Sequence, residues 1–434
     1  RHLFYLLFER IIKKRNTSQH GVISINLDGF RVVNNYFGHR AGDNLILQIS
    51  KKLSAYISNS GWLFRMAGDS FLILQENIEN IENIENIESI KKLEILSENL
   101  IDLICTVYPI EKMEMLVTAS IGISHYPSHG YDVDTLLKKA DIALYDSKST
   151  GYNNYKLFNP EMIKSTNAYL TLGGDLRNAI ENENFELYYQ PKVNAESFNI
   201  MGAEVLIRWQ HPEMGLITPD RFIPIAEESG LIIPLGEWII KDTCSQLLEW
   251  DKNNEFNLIV SINISMKQLA HNNFIDMVVE ILSECKINPK RLEFEITETV
   301  LMNDVNGIID KINKLKDIGI NISIDDFGTG YSSLSYLKIL PIEIIKIDKS
   351  FIRELCCSDD DKAIVEATIN MALSLNIEVV AEGVENMEQI EILRKYGCHY
   401  FQGYYFSKPI RKKTFISFCN KHKKIISSGD AYAY

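Results

Sequence analysis

The sequence predicts an α/β protein with two parts, an N-terminal α/β sheet domain and a C-terminal barrel of β/α units. Two observations predict this fold class. Segments with the apolar pattern of strands alternate with helical segments along the chain, and eight short strand candidates follow one another in the last ~250 residues. At 434 residues, 46% of them hydrophobic and 24% charged, the chain can bury a core in each part.

The N-terminal elements start with the strand GVISINLD at 21–28. They continue with the helix GDNLILQISKKLSAYI, the hairpin WLFRMAGDSFLILQ, a helix near 90–107, the strand MLVTASIGIS and the helix TLLKKADIALYDSKSTG. This alternation is typical of an α/β sheet, and we place the domain at 1–158.

A low-complexity insertion at 77–89 interrupts this domain. Isoleucine recurs there at every third residue, from Ile78 to Ile87. Because successive helical residues are about 100° apart, such a stripe drifts around a helix, so we expect a helical or disordered arm without chemistry. A polar, helix-forming linker at 159–170 then leads to the second domain at 171–427.

Eight strand candidates define this second domain. Helical patterns such as IDKINKLKDIG and NMEQIEILRKYG separate several of them, as in a TIM-like (β/α)8 barrel. In chain order the candidates are FELYYQPKV, AEVLIRW, LIVSINIS, RLEFEITE, NISIDDF, EIIKIDKS, EVVAEGVE and YFQGYYFS.

Alternating polarity on these strands predicts where the chemistry lies. In RLEFEITE, Glu293 and Glu295 share one face and the apolar side chains share the other. The polar positions of the same pattern on other strands are Ser261, Asn263, Ser323, Asp325, Lys346 and Asp348. A barrel packs its apolar face against the outer helices, so these groups point inward, and buried acids at this density require cations. Oxygen ligands without His or Cys favour Mg²⁺ or Mn²⁺ over zinc.

From about 171 to 420 the chain resembles an EAL-domain phosphodiesterase. The motif that names the family reads Glu204-Val205-Leu206-Ile207-Arg208, with Val in place of the middle Ala. The other matches, in order, are Asn263 in SINIS, Glu295 and Glu298 in EITE, Asp325 and Asp326 in DDFGTG, Lys346 in KID, Glu382 in AEGVE and Gln402 in QGYYFSKP.

The resemblance implies hydrolysis of cyclic di-GMP to linear pGpG by a water that two metal ions activate. The first Mg²⁺ or Mn²⁺ would be held by Glu204, Asn263, Glu295 and Asp325. Asp325 and Asp326 would hold the second. Two ions that share a water lower its pKa and bind the phosphate oxygens.

The resemblance also assigns the remaining site residues. Lys346 would position the water or stabilise negative charge, Glu382 would be a general base or outer ligand, and Glu298 would fasten the loop after DDFGTG. The residues expected to bind substrate are Gln190, Arg208 and Gln402, with Arg208 offering its planar fork to phosphate.

The first domain resembles the GGDEF domain of diguanylate cyclases, in a degenerate form. Its signature hairpin reads Arg-Met-Ala-Gly-Asp-Ser-Phe at 65–71, and the matching segments run from about 20 to 155. Ser70 replaces an acidic side chain, Ala67 adds a methyl group where the backbone must approach nucleotide, and Tyr152 stands where the family has an Arg. We therefore expect no synthesis of cyclic di-GMP.

Several nucleotide-binding positions of the family are nevertheless present. Asp28 and Asp69 match metal positions, Asn34 and Asp43 match guanine-reading positions, and Lys148 matches a phosphate-binding lysine. These matches leave open a regulatory GTP site, although they favour simple structural retention.

Charge and composition limit the partners. A net charge of −13 without a basic patch argues against duplex nucleic acid. Seven cysteines without paired spacing, and the lack of any ~20-residue apolar run, predict a cytoplasmic chain. The sequence starts at Arg1 in a helical pattern, which leaves open an upstream sensor domain and membrane attachment through it. The resemblance suggests a homodimer through the EAL domain.

Two functions from other classes compete with hydrolysis. The barrel could be a non-catalytic cyclic di-GMP receptor that signals by conformation, although receptors of this kind usually lack several metal-site residues, and all of them are present here. Both domains could also serve as scaffolds for a protein partner.

Overall fold

The computed structural model describes residues 2–14, 19–57, 61–76, 87–110, 113–252, 256–298, 305–328, 337 and 339–428. The chain forms two compact units, Arg1–Leu170 and Thr171–Tyr434. Most of the predicted linker lies in a helix, Glu161–Glu181. Most of the predicted insertion, 77–86, lies outside the described residues.

The first unit consists of a five-stranded sheet, a separate hairpin and helices. Its strands are β1 (His20–Leu27), β2 (Gly61–Arg65), β3 (Ser70–Gln75), β4 (Thr106–Ile110), β5 (Met113–Val117), β6 (Ala119–Tyr126) and β7 (Tyr155–Leu157). Its helices are α1 (His2–Lys14), α2 (Phe30–Phe37), α3 (His39–Ile57), α4 (Ile87–Ile104) and α5 (Val133–Ser149), with α6 (Glu161–Glu181) leading into the second unit.

The sheet has the order β2-β3-β1-β6-β7, so β1 is central and its side chains enter two cores. Ile23 and Ile25 pack in the larger core on one face, and Val22 packs with Phe4 and Phe8 of α1 on the other. Burial on both faces explains why apolar side chains of GVISINLD lie on both sides of the strand.

The second unit contains the barrel. Its strands are β8 (Phe185–Asn194), β9 (Ile200–His211), β10 (Gly215–Ile217), β11 (Ile259–Asn263), β12 (Leu292–Thr297), β13 (Asn321–Phe327), β14 (Ile344–Ile347), β15 (Glu378–Ala381), β16 (Tyr400–Phe401) and β17 (Ile410–Arg411). Its helices are α7 (Pro219–Ser229), α8 (Ile232–Lys252), α9 (Met266–Ala270), α10 (Phe274–Cys285), α11 (Val305–Ile318), α12 (Lys349–Arg353), α13 (Asp359–Ser374), α14 (Met387–Tyr396) and α15 (Lys412–Ser428). In the described part of the chain, no helix combines the length and apolarity that a bilayer crossing needs.

Eight of these strands close into a barrel in the order β8-β9-β11-β12-β13-β14-β15-β16, and β16 returns to β8. This confirms the predicted fold class. One detail of the predicted (β/α)8 barrel is wrong: β8 is not part of a β/α unit, because it leads directly into β9 and runs antiparallel to both of its neighbours. The physical reason is the short connection at 195–199, since a few residues can join antiparallel strands but not parallel ones.

The outward face of the barrel is apolar and packs against the helices. Phe294 of β12 lies against Phe274 of α10, and Tyr189 of β8 lies against Trp250 of α8 and Phe415 of α15. Every second residue of the strands therefore points into the lumen, where the side chains are polar yet buried.

Candidate metal centre in the barrel

The register of the parallel strands aligns the predicted site residues. Ser261 is opposite Glu204, Asn263 is opposite Glu295, and Asp325 is opposite Thr297. Because parallel strands end at the same rim of a barrel, these side chains converge at its carboxyl-terminal mouth.

The ammonium group of Lys346 lies at the centre of this cluster. It lies 2.6 Å from Glu382 Oε1, 2.7 Å from Glu295 Oε2, 3.0 Å from Asp325 Oδ1 and 3.6 Å from Glu204 Oε2. Lys346 is fully buried. Four carboxylates from separate segments thus surround one cation.

Amide groups complete the wall next to Glu204. Asn263 Nδ2 donates to Glu204 Oε1 at 2.7 Å, and Gln402 Nε2 donates to Glu204 Oε2 at 2.5 Å. The Gln402 amide also lies 3.1 Å from Gln190 Oε1, and Gln190 Nε2 donates to the Ser407 carbonyl. The structure therefore brings Gln190 and Gln402 to the predicted ligands.

A second group of acids lies beside Lys346. Asp325, Asp326 and Glu382 place one carboxylate oxygen each within 4.8 Å of one another, close enough to hold a metal ion. Asp326 adopts a left-handed backbone with φ 53°, and its N–H donates to Asp325 Oδ1. Aspartate adopts this conformation more readily than most residues, because its short polar side chain can form local hydrogen bonds.

Glu298 lies next to the start of the DDFGTG loop. Its Oε2 accepts the N–H of Gly328 at 2.9 Å, and Gly328 has φ 97°, a conformation that glycine adopts without a steric cost. The remainder of the loop lies outside the described residues.

Crowding of acids raises their affinity for protons. Burial raises the pKa of Glu204 and Glu382, and Asp325 adds to this effect in both. Burial and the charge of Asp325 raise the pKa of Asp326 to about 6. Burial acts in the same direction on Glu295, but Lys192 and Lys346 outweigh it and lower the pKa of Glu295 to about 2. The cluster therefore has more negative charge than its ammonium groups neutralise, and its donors are oxygens, so divalent Mg²⁺ or Mn²⁺ fits it.

Lys192, which the sequence analysis did not single out, is part of the same lumen. Its ammonium group contacts Glu293 Oε1 at 2.8 Å and Glu295 Oε1 at 2.7 Å. The sequence did contain an indication that Lys192 faces the lumen. It lies two residues after Gln190 on β8, and residues two apart on a strand share a face. Glu293, which shares the polar parity of Glu295 but was not predicted as a ligand, is buried beside it.

The guanidinium group of Arg208 is partly buried, and the charges of Asp220 and Glu204 act on it. It is stacked over the ring of Tyr188, 5.2 Å from the centroid, and donates to the Ile207 carbonyl. Arg411 lies over the same ring at 5.9 Å, and its Nε donates to the Tyr188 hydroxyl. Neither Tyr188 nor Arg411 was predicted, because nothing in the local pattern of β8 or β17 pairs them.

Asp28 and Lys148, two of the predicted nucleotide-binding residues of the first unit, are engaged within that unit. Ser120 Oγ donates to Asp28 Oδ1 at 2.7 Å, while Thr118 Oγ1 and the N–H of Asn153 donate to Oδ2. Lys148 donates to Asn26 Oδ1 at 2.6 Å.

The substituted signature position joins this network. The amide of Asn26, which accepts from Lys148, donates to Ser70 Oγ at 2.9 Å.

The other predicted positions of the first unit are more loosely arranged. Asp43 is exposed and lies 3.7 Å from the guanidinium group of Arg65. Asn34 is partly buried against Gly42, and the backbone carbonyl of Asp69 accepts from Leu27. Across the described residues, the only group of three metal-ligating acidic, His or Cys side chains is the one in the barrel.

Comparisons with known proteins identify both domains. Residues 174–409 match the family model "EAL domain", and residues 1–154 match "Diguanylate cyclase, GGDEF domain". The chain is 38% identical over 403 residues to the bifunctional diguanylate cyclase/cyclic di-GMP phosphodiesterase MucR of Pseudomonas aeruginosa. The aligned region covers 93% of this chain and 57% of MucR. It is 34% identical over 418 residues to the cyclic di-GMP phosphodiesterase PdeR of Escherichia coli, covering 96% of this chain and 61% of the relative.

A solved structure described as the PaMucR phosphodiesterase in complex with c-di-GMP is also similar. It is 42% identical with a TM-score of 0.55, and the match covers 56% of this chain and 99% of that one. The chain spans roughly half to three fifths of the length of the two curated relatives.

Proposed function

Because the chain belongs to the EAL-domain family and has a GGDEF domain ahead of its EAL domain, we propose that it hydrolyses cyclic di-GMP to linear pGpG at the barrel mouth. The observation that carries the proposal is the buried cluster in which Glu204, Glu295, Asp325 and Glu382 all lie within 4 Å of one ammonium group. A cluster of this kind binds divalent cations, because its negative charge is otherwise only partly neutralised.

The side chains available fit two Mg²⁺ or Mn²⁺ ions. Glu204, Asn263, Glu295 and Asp325 would hold one ion, and Asp325 with Asp326 would hold the other. Glu382 is close enough to Asp325 and Asp326 to join the second set. When bound, such a pair lowers the pKa of a shared water and neutralises the phosphate oxygens.

The other residues of the site would orient the metal ligands and stabilise the substrate phosphate. Lys346 would hold the carboxylates in place and offset negative charge that builds on the phosphate. Gln402 keeps Glu204 oriented by donating to its Oε2, and Gln190 accepts from the same Gln402 amide. Arg208, stacked on Tyr188, would bind a phosphate of the substrate with its planar fork.

For the first unit we propose a regulatory role without cyclase activity. Thr118, Ser120 and Asn153 donate hydrogen bonds to Asp28, and Lys148 donates to Asn26. Because Asp28 and Lys148 already have these partners, we do not expect them to act in catalysis on GTP. GTP could still bind there as a regulator, so the assay of the barrel includes it.

One experiment tests the proposal directly. The full chain is incubated with cyclic di-GMP and Mg²⁺ or Mn²⁺, with and without GTP, and the nucleotides are separated by chromatography. We expect pGpG from the wild type and none from Asp325→Ala. A matched control is Asp317→Ala, which removes an exposed aspartate of α11 in the same unit and should keep full turnover.

The outcomes separate the alternatives. Normal pGpG release by Asp325→Ala would overturn the metal assignment. Tight binding of cyclic di-GMP by the wild type without any turnover would instead identify the barrel as a receptor. Any cyclic di-GMP formed from GTP would contradict the proposal that the first unit lacks cyclase activity.

A further inference from the structure

A buried lysine lies one layer deeper in the lumen than the predicted metal ligands. Glu293 precedes Glu295 by two residues on β12, so its side chain lies on the same face, farther from the mouth. Between them lies Lys192 of β8, whose side chain is only 7% exposed.

Three acceptors satisfy the ammonium group of Lys192. They are Glu293 Oε1 at 2.8 Å, Glu295 Oε1 at 2.7 Å and Ser261 Oγ at 2.5 Å. An ammonium group has three N–H donors, so each one is directed at a fixed acceptor. The geometry therefore leaves little freedom for either carboxylate.

Glu295 lies between two lysines, and each lysine takes a different oxygen. Lys192 donates to Oε1 from the deep side, and Lys346 donates to Oε2 from the side of the other predicted ligands. Rotation about the last side-chain torsion of a glutamate is otherwise broad. The bond from Lys192 restricts that rotation and keeps Oε2 toward Asp325 and Glu382.

We propose that Lys192 is a positioning residue that orients Glu295 for metal binding. The inference rests on the proposed metal site, and Lys192 itself would touch neither metal nor substrate. Groups that hydrogen-bond a metal ligand typically contribute about 10-fold to 100-fold to metal affinity.

A simpler role for Lys192 would be to neutralise Glu293. Ser261 and Ser323 also donate to Glu293 Oε1, at 3.1 and 2.9 Å, so this acid is well held and buried. Removing Lys192 alone would leave Glu293 buried without a cation, and a loss of folding would then hide any effect on Glu295.

A double variant separates the two roles. Lys192→Met/Glu293→Gln removes one positive and one negative charge, so the net charge of the lumen is unchanged, but Glu295 loses its deep partner. The single variant Glu293→Gln keeps that partner and is the matched control. A second double variant, Lys192→Met/Glu293→Leu, replaces the ion pair with apolar groups, an exchange that buried pairs often tolerate.

The measurement is Mn²⁺ binding to the metal-free full chain by calorimetry, with Asp325→Ala defining the signal that does not come from the barrel. We expect both double variants to melt near the wild type and to bind Mn²⁺ about 10-fold to 100-fold more weakly. Glu293→Gln should bind like the wild type.

Each result decides a different point. Wild-type Mn²⁺ affinity in a folded double variant would overturn the role of Lys192 and leave the proposed function standing. Wild-type Mn²⁺ binding by Asp325→Ala would overturn the metal site and this inference together. If the double variants bind Mn²⁺ weakly but the wild type releases no pGpG, the positioning role of Lys192 is supported and the proposed reaction is contradicted.

Discussion

The two units differ in how the polar side chains of their predicted sites are partnered. In the first unit, Asp28 has hydroxyl and N–H donors on both oxygens, and Lys148 is bonded to a neutral amide. In the barrel, several carboxylates converge on the ammonium group of Lys346 and repel one another. Both units retain acids at positions that match a metal-dependent family, although the motif of the first unit is degenerate and that of the barrel is nearly intact. The difference teaches that charge balance separates the units as well, because among the described residues the acids around Lys346 outnumber the nearby ammonium groups.

The largest expected difference between the units concerns turnover. Glu204→Ala should lower the rate of pGpG formation by at least about 100-fold, the upper value for residues that merely support a ligand. Asp28→Ala should leave the rate unchanged, because its partners all lie within the first unit. Steady-state assays of the two purified variants measure this contrast. Equal losses of turnover in the two variants would contradict the expected difference between the units.

The next effect is the pH dependence of metal affinity. The pKa of Asp326 is raised to about 6 by burial and by Asp325, and the pKa of Glu382 is raised as well. Protons therefore compete with metal below these values, and Mn²⁺ affinity should rise between pH 5 and 7 by up to about 10-fold per pH unit for each proton displaced. Calorimetry in buffers of different ionisation enthalpy measures the proton release. Asp326→Asn should flatten the slope, and an unchanged slope would contradict the assignment.

A smaller effect should follow from a single methyl group in the DDFGTG loop. In Gly328→Ala the new Cβ would lie 2.9 Å from the ring of Phe351, and φ is 97°. We expect a loss of about 1 to 2 kcal/mol in stability from the left-handed backbone and a turnover about 10-fold lower. Gly68→Ala, with φ 60° and open space around the Cβ, carries a similar backbone cost in the first unit. Its turnover should stay normal, and kinetics with thermal melts distinguish the two variants.

The smallest effect is on stability, and its sign should differ between the units. Burial lowers the pKa of His125 and His129 to about 4, with His129 contributing to the shift of His125 and Lys139 to that of His129. Unfolded histidine titrates near 6.5, so between about pH 6.5 and 4 the unfolded state binds more protons. The melting transition of the first unit should therefore fall by a few degrees as the pH drops through this window.

The metal-free barrel should respond in the opposite direction. Because the pKa values of Glu204, Asp326 and Glu382 are raised in the folded state, that state binds the extra protons and gains stability as the pH falls below about 8. Calorimetric scans at pH 7 and pH 5 in a chelator measure both transitions, and added Mn²⁺ identifies that of the barrel, since a ligand stabilises the unit that binds it. Parallel shifts of both transitions would contradict the contrast.

Much of the barrel was predictable because strand periodicity is a local property. The alternation in RLEFEITE predicted that Glu293 and Glu295 face the lumen, and both are buried there. The order of the eight strand candidates predicted the closed barrel. The antiparallel β8 was missed, although the short connection at 195–199 was visible, because β/α units were assumed throughout. The assignment of Glu204, Asn263 and Asp325 as ligands stays a prediction that the proposed assays address.

The sequence by itself determined which side chains lie on the polar face of each strand, since a period of two residues depends only on neighbours in the chain. Only the tertiary structure decided which lysine ammonium group contacts which carboxylate. Lys192 and Glu295 are 103 residues apart, and their contact follows from the pairing of β8 with β9 and from the register of β9, β11 and β12. The same holds for the position of Arg208 over Tyr188, while its role as a phosphate ligand stays a prediction. A charge can be read from one position, but its neutralisation depends on every strand that closes the lumen.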